Sequence, residues 1–150
     1  MAEHEGLKSA VNTVEILRGE NGCPWDKAQT HASLRPYLLE ESYEVLEAID
    51  ALGPKPSAEA VKNFKEKLGD LLLQVLLHSE IARQAGLFSI DDVAGALSEK
   101  LVRRHPHVFG ETQVSSVAEV WENWEKIKKN ESSGSQFDSI PKQLPALMQA

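Results

Sequence analysis

Cysteine is nearly absent from this 150-residue chain, with Cys23 the only one. That excludes an intrachain disulfide and leaves a thiolate zinc site without partners, a usage that fits a reducing compartment. Positive charge is also scarce: 16 Lys and Arg stand against 23 Asp and Glu, for a net charge of −7. Such a balance argues against general affinity for nucleic acid or anionic membrane, while leaving room for a local basic pocket that binds a phosphorylated small molecule. No apolar run approaches the ~20 residues needed to span a bilayer, and the mixed-charge start MAEHEGLKSAV lacks the apolar core of a signal peptide. The expectation is a soluble, cytoplasmic protein. Internal repeats are not evident, and no stretch alternates apolar and polar residues for long enough to make a strand.

What is present is helical periodicity, in a chain of the size of one ordinary domain. Val11, Val14 and Leu17 give a short apolar face over 7–18, closed by Gly19 and the turn-rich GENGCPWD. Ser33 is placed to cap a second helix with Pro36 in its first turn, and Leu34, Leu38, Val45, Ile49 and Leu52 recur until Gly53-Pro54 stops it. A third helix runs from near Ser57 to Gly86, the longest and most apolar. Ser89-Ile-Asp-Asp92 and Ser116-Val-Ala-Glu119 resemble capping boxes, opening a fourth helix that Pro106 ends and a fifth that reaches Lys129. ESSGSQ then reads as a linker, so the expected organisation is a helical domain over 1–130 and a linker with C-terminal segment over 131–150. The predicted fold is all-α: an antiparallel bundle of about five helices, completed by dimerisation.

Carboxylates interrupt this pattern in two places. Along the second helix the stripe through positions 34, 38, 41, 45, 48 and 52 puts Glu41 at a core-facing position, and Glu44 shares its face one turn on, flanked by Glu40 and Glu47. Along the third, Asp70 borders the run LLLQVLL, with Lys67 one turn before it and Glu66 beside that. An antiparallel hairpin would bring Glu41 and Glu44 opposite Asp70 and Glu66. Two carboxylates about 5 Å apart at an effective dielectric near 20 repel by roughly 3 kcal/mol, so something positive must stand among them. A hard divalent cation such as magnesium fits, with oxygen ligands from protein and substrate phosphate. The alternative is an ordinary solvated helix face laced with intrahelical ion pairs.

GCPWDKAQT, LLEESYEVLEAI, KLGDLLLQVLLH, EKLVRRHPHVFG, EVWENWEKIK and SIPKQLPALMQA, in this order, closely resemble the MazG nucleoside triphosphate pyrophosphohydrolase family, within the all-α pyrophosphatase superfamily. The resemblance covers nearly the whole chain. It implies a helical homodimer or higher assembly that uses Mg2+ to hydrolyse nucleoside triphosphates to monophosphates and pyrophosphate. It also implies a metal motif Glu-x-x-Glu followed by Glu-x-x-Asp. Glu41-Ser-Tyr-Glu44 matches the first half, whereas the second reads Lys67-Leu-Gly-Asp70. Glu41, Glu44 and Asp70 are thus expected metal ligands and Lys67 an altered ligand position. Either Lys67 occupies the place of the ion and impairs turnover, or it swings outward and the adjacent Glu66 serves.

Under this resemblance Glu40 or Glu44 orients the attacking water. Lys100 and Arg104 contact phosphates, although cations are favoured in a last helical turn anyway. Trp124 and Lys128, a Trp-x-x-x-Lys pair, stack a base and reach a phosphate, or Trp124 is plain core. Trp25 shapes the pocket rim. His78 reads as a satisfied core histidine, and Cys23 lacks a catalytic base. Longer family members continue past a segment like PALMQA into a second related domain, leaving open that this chain is one domain of a longer protein. A noncatalytic dimeric helical module, regulatory or structural, is the second functional reading.

Overall fold

A computed structural model describes residues 4–132 and 141–142 of the chain. Its regular elements among these residues are all helices: α1 (Glu5–Arg18), α2 (Pro24–Ala28), α3 (Arg35–Leu52), α4 (Ala58–Gln84), α5 (Ile90–Arg104), α6 (Pro106–Phe109) and α7 (Val117–Glu131). No described helix is long and apolar enough to cross a membrane. The chain divides into two compact units, Met1–Ala94 and Gly95–Ala150.

In the first unit α3 and α4 form an antiparallel hairpin. Gly53 closes α3 at φ 58°, in the left-handed region that glycine adopts without strain, and Ser57 Oγ accepts from the Ala60 amide to open α4. Helix α1 lies on α4, and the core between them is Val14, Leu34, Leu76 and Leu77, with Ala10, Val11, Ile81 and Ile90 packed around it. Leu34 and Leu77 are fully buried, each contributing about 1.5–3 kcal/mol through removal of its side chain from water.

The loop expected between the first two long helices contains α2, whose Pro24 stands at the first helical position, where a missing N–H costs nothing. Its place is fixed by Arg18, buried at the end of α1. The guanidinium donates to Gln84 Oε1 at 3.0 and 3.2 Å, to the Gln29 carbonyl at 3.2 Å and to the Asp26 carbonyl, while Gln84 Nε2 donates back to the Arg18 carbonyl. Gly22 is obligatory here, because a Cβ on it would meet the Leu17 carbonyl oxygen at 2.1 Å.

Ser33 does not cap α3 as its position suggested. The N-cap residue is Leu34, with no side-chain bond, and Ser33 Oγ instead donates to Gln29 Oε1 and accepts from the Thr30 amide within the preceding turn. Ser89 does open α5: its Oγ accepts from the Asp92 amide, and the Asp92 carboxylate accepts from the Ser89 amide and hydroxyl, which holds that carboxyl below its usual range.

The second unit holds the end of α5, then α6 and α7. Pro106 ends α5 as expected but also starts the short α6, so two short helices are added to the five expected. Ser116 Oγ accepts from the Glu119 amide, whereas the Glu119 carboxylate reaches one residue further back, to Ser115. Most of the linker and C-terminal segment expected over 131–150 lies outside the described residues.

Candidate metal centre

The three-residue step from Glu41 to Glu44 puts both carboxylates on one face of α3, and the hairpin turns that face toward Asp70 on α4. One carboxylate oxygen from each of the three lies within 4.8 Å of the others. Glu41 Oε2 is buried and has no hydrogen-bond partner among the described residues. Lys67 joins from the turn before Asp70: its Nζ is 2.6 Å from Glu44 Oε2 and 3.6 Å from Asp70 Oδ2. The donor set is all oxygen, and a buried acceptor is left open. Both suit a hard cation such as magnesium, and the ammonium competes with one for Glu44.

Charge accounts for the titration behaviour. Burial pushes the Glu41 carboxyl above its ordinary range, and the neighbouring charges of Glu44 and Asp70 push it further, with Lys67 partly opposing them. The hydrogen bond to Glu44 raises Lys67 in turn. The cluster therefore relieves its repulsion in two ways, by favouring a proton on Glu41 and by the ammonium at Glu44.

Residues 29–109 match the MazG nucleotide pyrophosphohydrolase domain. The chain belongs to the MazG family. It is 46% identical over 135 residues to a nucleoside triphosphate pyrophosphohydrolase of Escherichia coli K12, covering 87% of this chain and 49% of that protein. Against the nucleoside triphosphate pyrophosphohydrolase/pyrophosphatase MazG of Thermotoga maritima it is 46% identical over 144 residues, covering 96% and 53%. An uncharacterized protein of Bacillus subtilis 168, YabN, is 55% identical over 140 residues, covering 91% and 27%. The chain thus spans about half or less of the length of these curated relatives. The crystal structure of a mazG-related protein from Thermotoga maritima superposes with a TM-score of 0.63 at 25% identity, over 81% of this chain and 98% of that one.

Within this MazG fold the expected ligands divide. Glu41, Glu44 and Asp70 come together. Glu66 is not among them: it is exposed and 3.9 Å from Lys62, because one residue's step turns its side chain about 100° around α4 from the Lys67 direction. Lys67 points into the cluster rather than outward. Glu40 is exposed on α3 beside Glu41.

In the second unit Trp124 is half-buried, with the Arg104 guanidinium 5.4 Å and Lys128 Nζ 5.2 Å from its ring centre. Arg104 also donates to Glu131 Oε2 at 2.7 Å and Arg103 to Glu131 Oε1, which holds the Glu131 carboxyl below its usual range. Lys100 is exposed one turn earlier on α5.

Sequence reading missed a second polar group in the first unit. His78 is not a satisfied core histidine: its Nδ1 lies 2.7 Å from His31 Nδ1, and its buried Nε2 has no partner among the described residues. Burial and the facing His31 lower its pKa below the ordinary 6.5. Trp25, expected at a pocket rim, makes an edge-to-face contact with Tyr37, ring centres 5.8 Å apart. The available signal was the four-residue step Asp70, Gln74, His78, three polar residues on one face of an apolar helix.

Proposed function

We propose that this chain hydrolyses nucleoside triphosphates to nucleoside monophosphates and pyrophosphate in a Mg2+-dependent reaction, and that Lys67 slows it. The observation that carries this reading is the convergence of Glu41, Glu44 and Asp70 from two helices, with a buried, unpartnered Glu41 oxygen among them. The names of the relatives at 46% identity support the same chemistry.

Glu41, Glu44 and Asp70 would hold the ion. A bound magnesium supplies charge neutralisation at the phosphate oxygens and a lowered pKa for a water molecule. Glu40, exposed beside Glu41, and Glu44 are the carboxylates available to orient that water and accept its proton as the bond between the α-phosphorus and the bridging oxygen breaks. Pyrophosphate leaves with that oxygen. Lys67 acts against this arrangement, since it engages Glu44 at 2.6 Å and offers no lone pair to a metal. In the second unit Arg104 and Lys128 flank the Trp124 ring; with Lys100, exposed on α5, we assign them to nucleotide contact, the cations for phosphate and the indole for stacking.

A homodimer is part of the same reading. Leu38, Leu46, Ile49, Leu68, Leu72 and Val75 on α3 and α4 are exposed, an apolar surface larger than a monomeric hairpin needs. The single cysteine and the absence of a membrane-crossing helix among the described residues agree with a cytoplasmic enzyme.

The deciding experiment measures pyrophosphate release from a nucleotide panel with magnesium, for this protein and for Lys67→Glu. Release that rises in the variant supports the reading. No release from either sinks it in favour of a noncatalytic module, for which the Lys67–Glu44 pair is the specific argument. Equal release from both removes the penalty assigned to Lys67.

A further inference from the structure

Glu41 Oε2, Gln74 Oε1 and His78 Nε2 are buried and lack hydrogen-bond partners among the described residues. Glu41 lies in the cluster at the seam between α3 and α4, His78 meets His31 in the turn before α3, and Gln74 lies between Asp70 and His78 on α4. On α4 Asp70, Gln74 and His78 follow at four-residue steps, so they share one face at a rise of about 6 Å each. The register of the seam is bracketed by contacts at both ends: Lys67 meets Glu44, Asp70 lies with Glu41, and His78 meets His31. Gln74, midway between Asp70 and His78, therefore falls at the level of the first turns of α3, where Tyr37 stands against Trp25. The two rings are 40% and 51% exposed, while Gln74 is only 5% exposed.

We propose that Gln74 recognises the base of the bound nucleoside triphosphate, with Tyr37 and Trp25 offering aromatic faces beside it. The proposal rests on the nucleotide reading above and adds to it the hydrogen-bonding edge of the base, for which the Trp124 stacking assigned there supplies no partner. Gln74 is the only polar side chain in Leu71–Leu77, and its unpaired oxygen is unfavourable until a donor reaches it. A base edge supplies such a donor beside an acceptor, which an amide can meet with both its atoms, as glutamine does with adenine in DNA. The last torsion of glutamine is broad, so the amide turns toward a ligand without disturbing α4. Aromatic side chains hold bases by stacking. The order along the seam also suits a nucleotide, with the carboxylates at the phosphate end and the amide about one helical turn further on.

The test is calorimetric binding to the full chain in magnesium, using the non-hydrolysable α,β-imido analogues of ATP, CTP, GTP and UTP, with inorganic tripolyphosphate as the baseless probe. Gln74→Leu should weaken the preferred nucleotide roughly ten- to a hundredfold and leave tripolyphosphate unchanged. Gln74→Glu keeps the shape and an acceptor but loses the donor, and should change the order of the four bases; circular dichroism establishes that each variant is folded. Equal losses for nucleotide and tripolyphosphate, or no loss for either, would overturn the proposal. Wild-type protein that binds tripolyphosphate as tightly as every nucleotide overturns the base subsite alone. Protein that binds neither overturns the nucleotide reading as well.

Discussion

Replacing Lys67 by glutamate inverts the cation in the acidic cluster, and the sign of its effect on stability should depend on magnesium. Nζ lies 2.6 Å from Glu44 and 3.6 Å from Asp70, so the wild-type protein neutralises part of its own cluster. The formal charge of Glu41, Glu44, Asp70 and residue 67 is −2 with lysine and −4 with glutamate. In EDTA the order of thermal stability is therefore wild type, then Lys67→Met, then Lys67→Glu: methionine deletes an attraction and glutamate adds a repulsion. Magnesium reverses the order. Losing even an outer-shell partner of a metal typically changes affinity ten- to a hundredfold, so adding a direct carboxylate and removing a competing ammonium should tighten binding at least about a hundredfold. With magnesium well above both Kd values, that difference corresponds to a Tm gain of about 5–10 °C for a domain of this size. The assay is a Tm measurement across a magnesium titration for the three proteins. A wild-type Tm that rises from its EDTA value by as much as that of Lys67→Glu at the same magnesium concentration would refute the reasoning, since Lys67 would then not stand in the way of the ion.

Asp70→Asn should lose the magnesium response of Tm while leaving stability in EDTA nearly unchanged or raised, because it removes one of three converging carboxylates; a retained response would remove Asp70 from the ligand set. Leu77→Ala, at a side chain 1% exposed, should cost about 2–5 kcal/mol in urea unfolding through lost burial and a residual cavity; a cost under 1 kcal/mol would mean the α1–α4 core collapses around the site. His78 is held below its ordinary pKa of 6.5 by burial and by His31, so the unfolded chain takes up its proton more readily. Its contribution is present above pH 6.5 and lost as the pH falls toward the lower folded value; unfolding measured across that window should be flatter in His78→Gln, and an unchanged slope would contradict the assignment. Leu46→Glu and Leu72→Glu, on the exposed hairpin face, should shift sedimentation from dimer to monomer, and wild-type protein that sediments as a monomer would remove the dimer.

Long-range order in the first unit was legible wherever one residue type at one spacing did two jobs. Glu41 at a core-facing position of a periodic helix announced both the packing of α3 and the convergence of carboxylates on it. Asp70 bordering an apolar run pointed to the second helix of the cluster, but the run itself is not buried on all sides: Leu72, Leu73 and Val75 are exposed. What was hidden depends on contacts between segments far apart in sequence. Arg18 and Gln84 are 66 positions apart, and no local pattern says that a surface-type arginine at a helix end will be buried and will organise α2 through carbonyls. His31 and His78, 47 apart, likewise meet only once the hairpin register is known. Ser33 misled because a capping residue is recognised from its neighbours, whereas the turn at 30–33 offered it a competing set of partners.

The same distinction bears on Lys67. A sequence motif records which residue occupies a ligand position, but not which way a four-carbon stem turns, and the outward and inward rotamers lead to opposite functional readings. The contacts of 2.6 and 3.6 Å resolve that ambiguity toward the inward rotamer, while Glu66 is exposed and paired toward Lys62 instead of joining the cluster. A carboxylate cluster supplied with its own cation no longer needs an ion to be folded, which separates the stability of this site from its chemistry. Under the proposed reading, a weakened magnesium response and a slowed turnover share one structural cause, the Lys67–Glu44 contact, so Lys67→Glu should raise both together or neither.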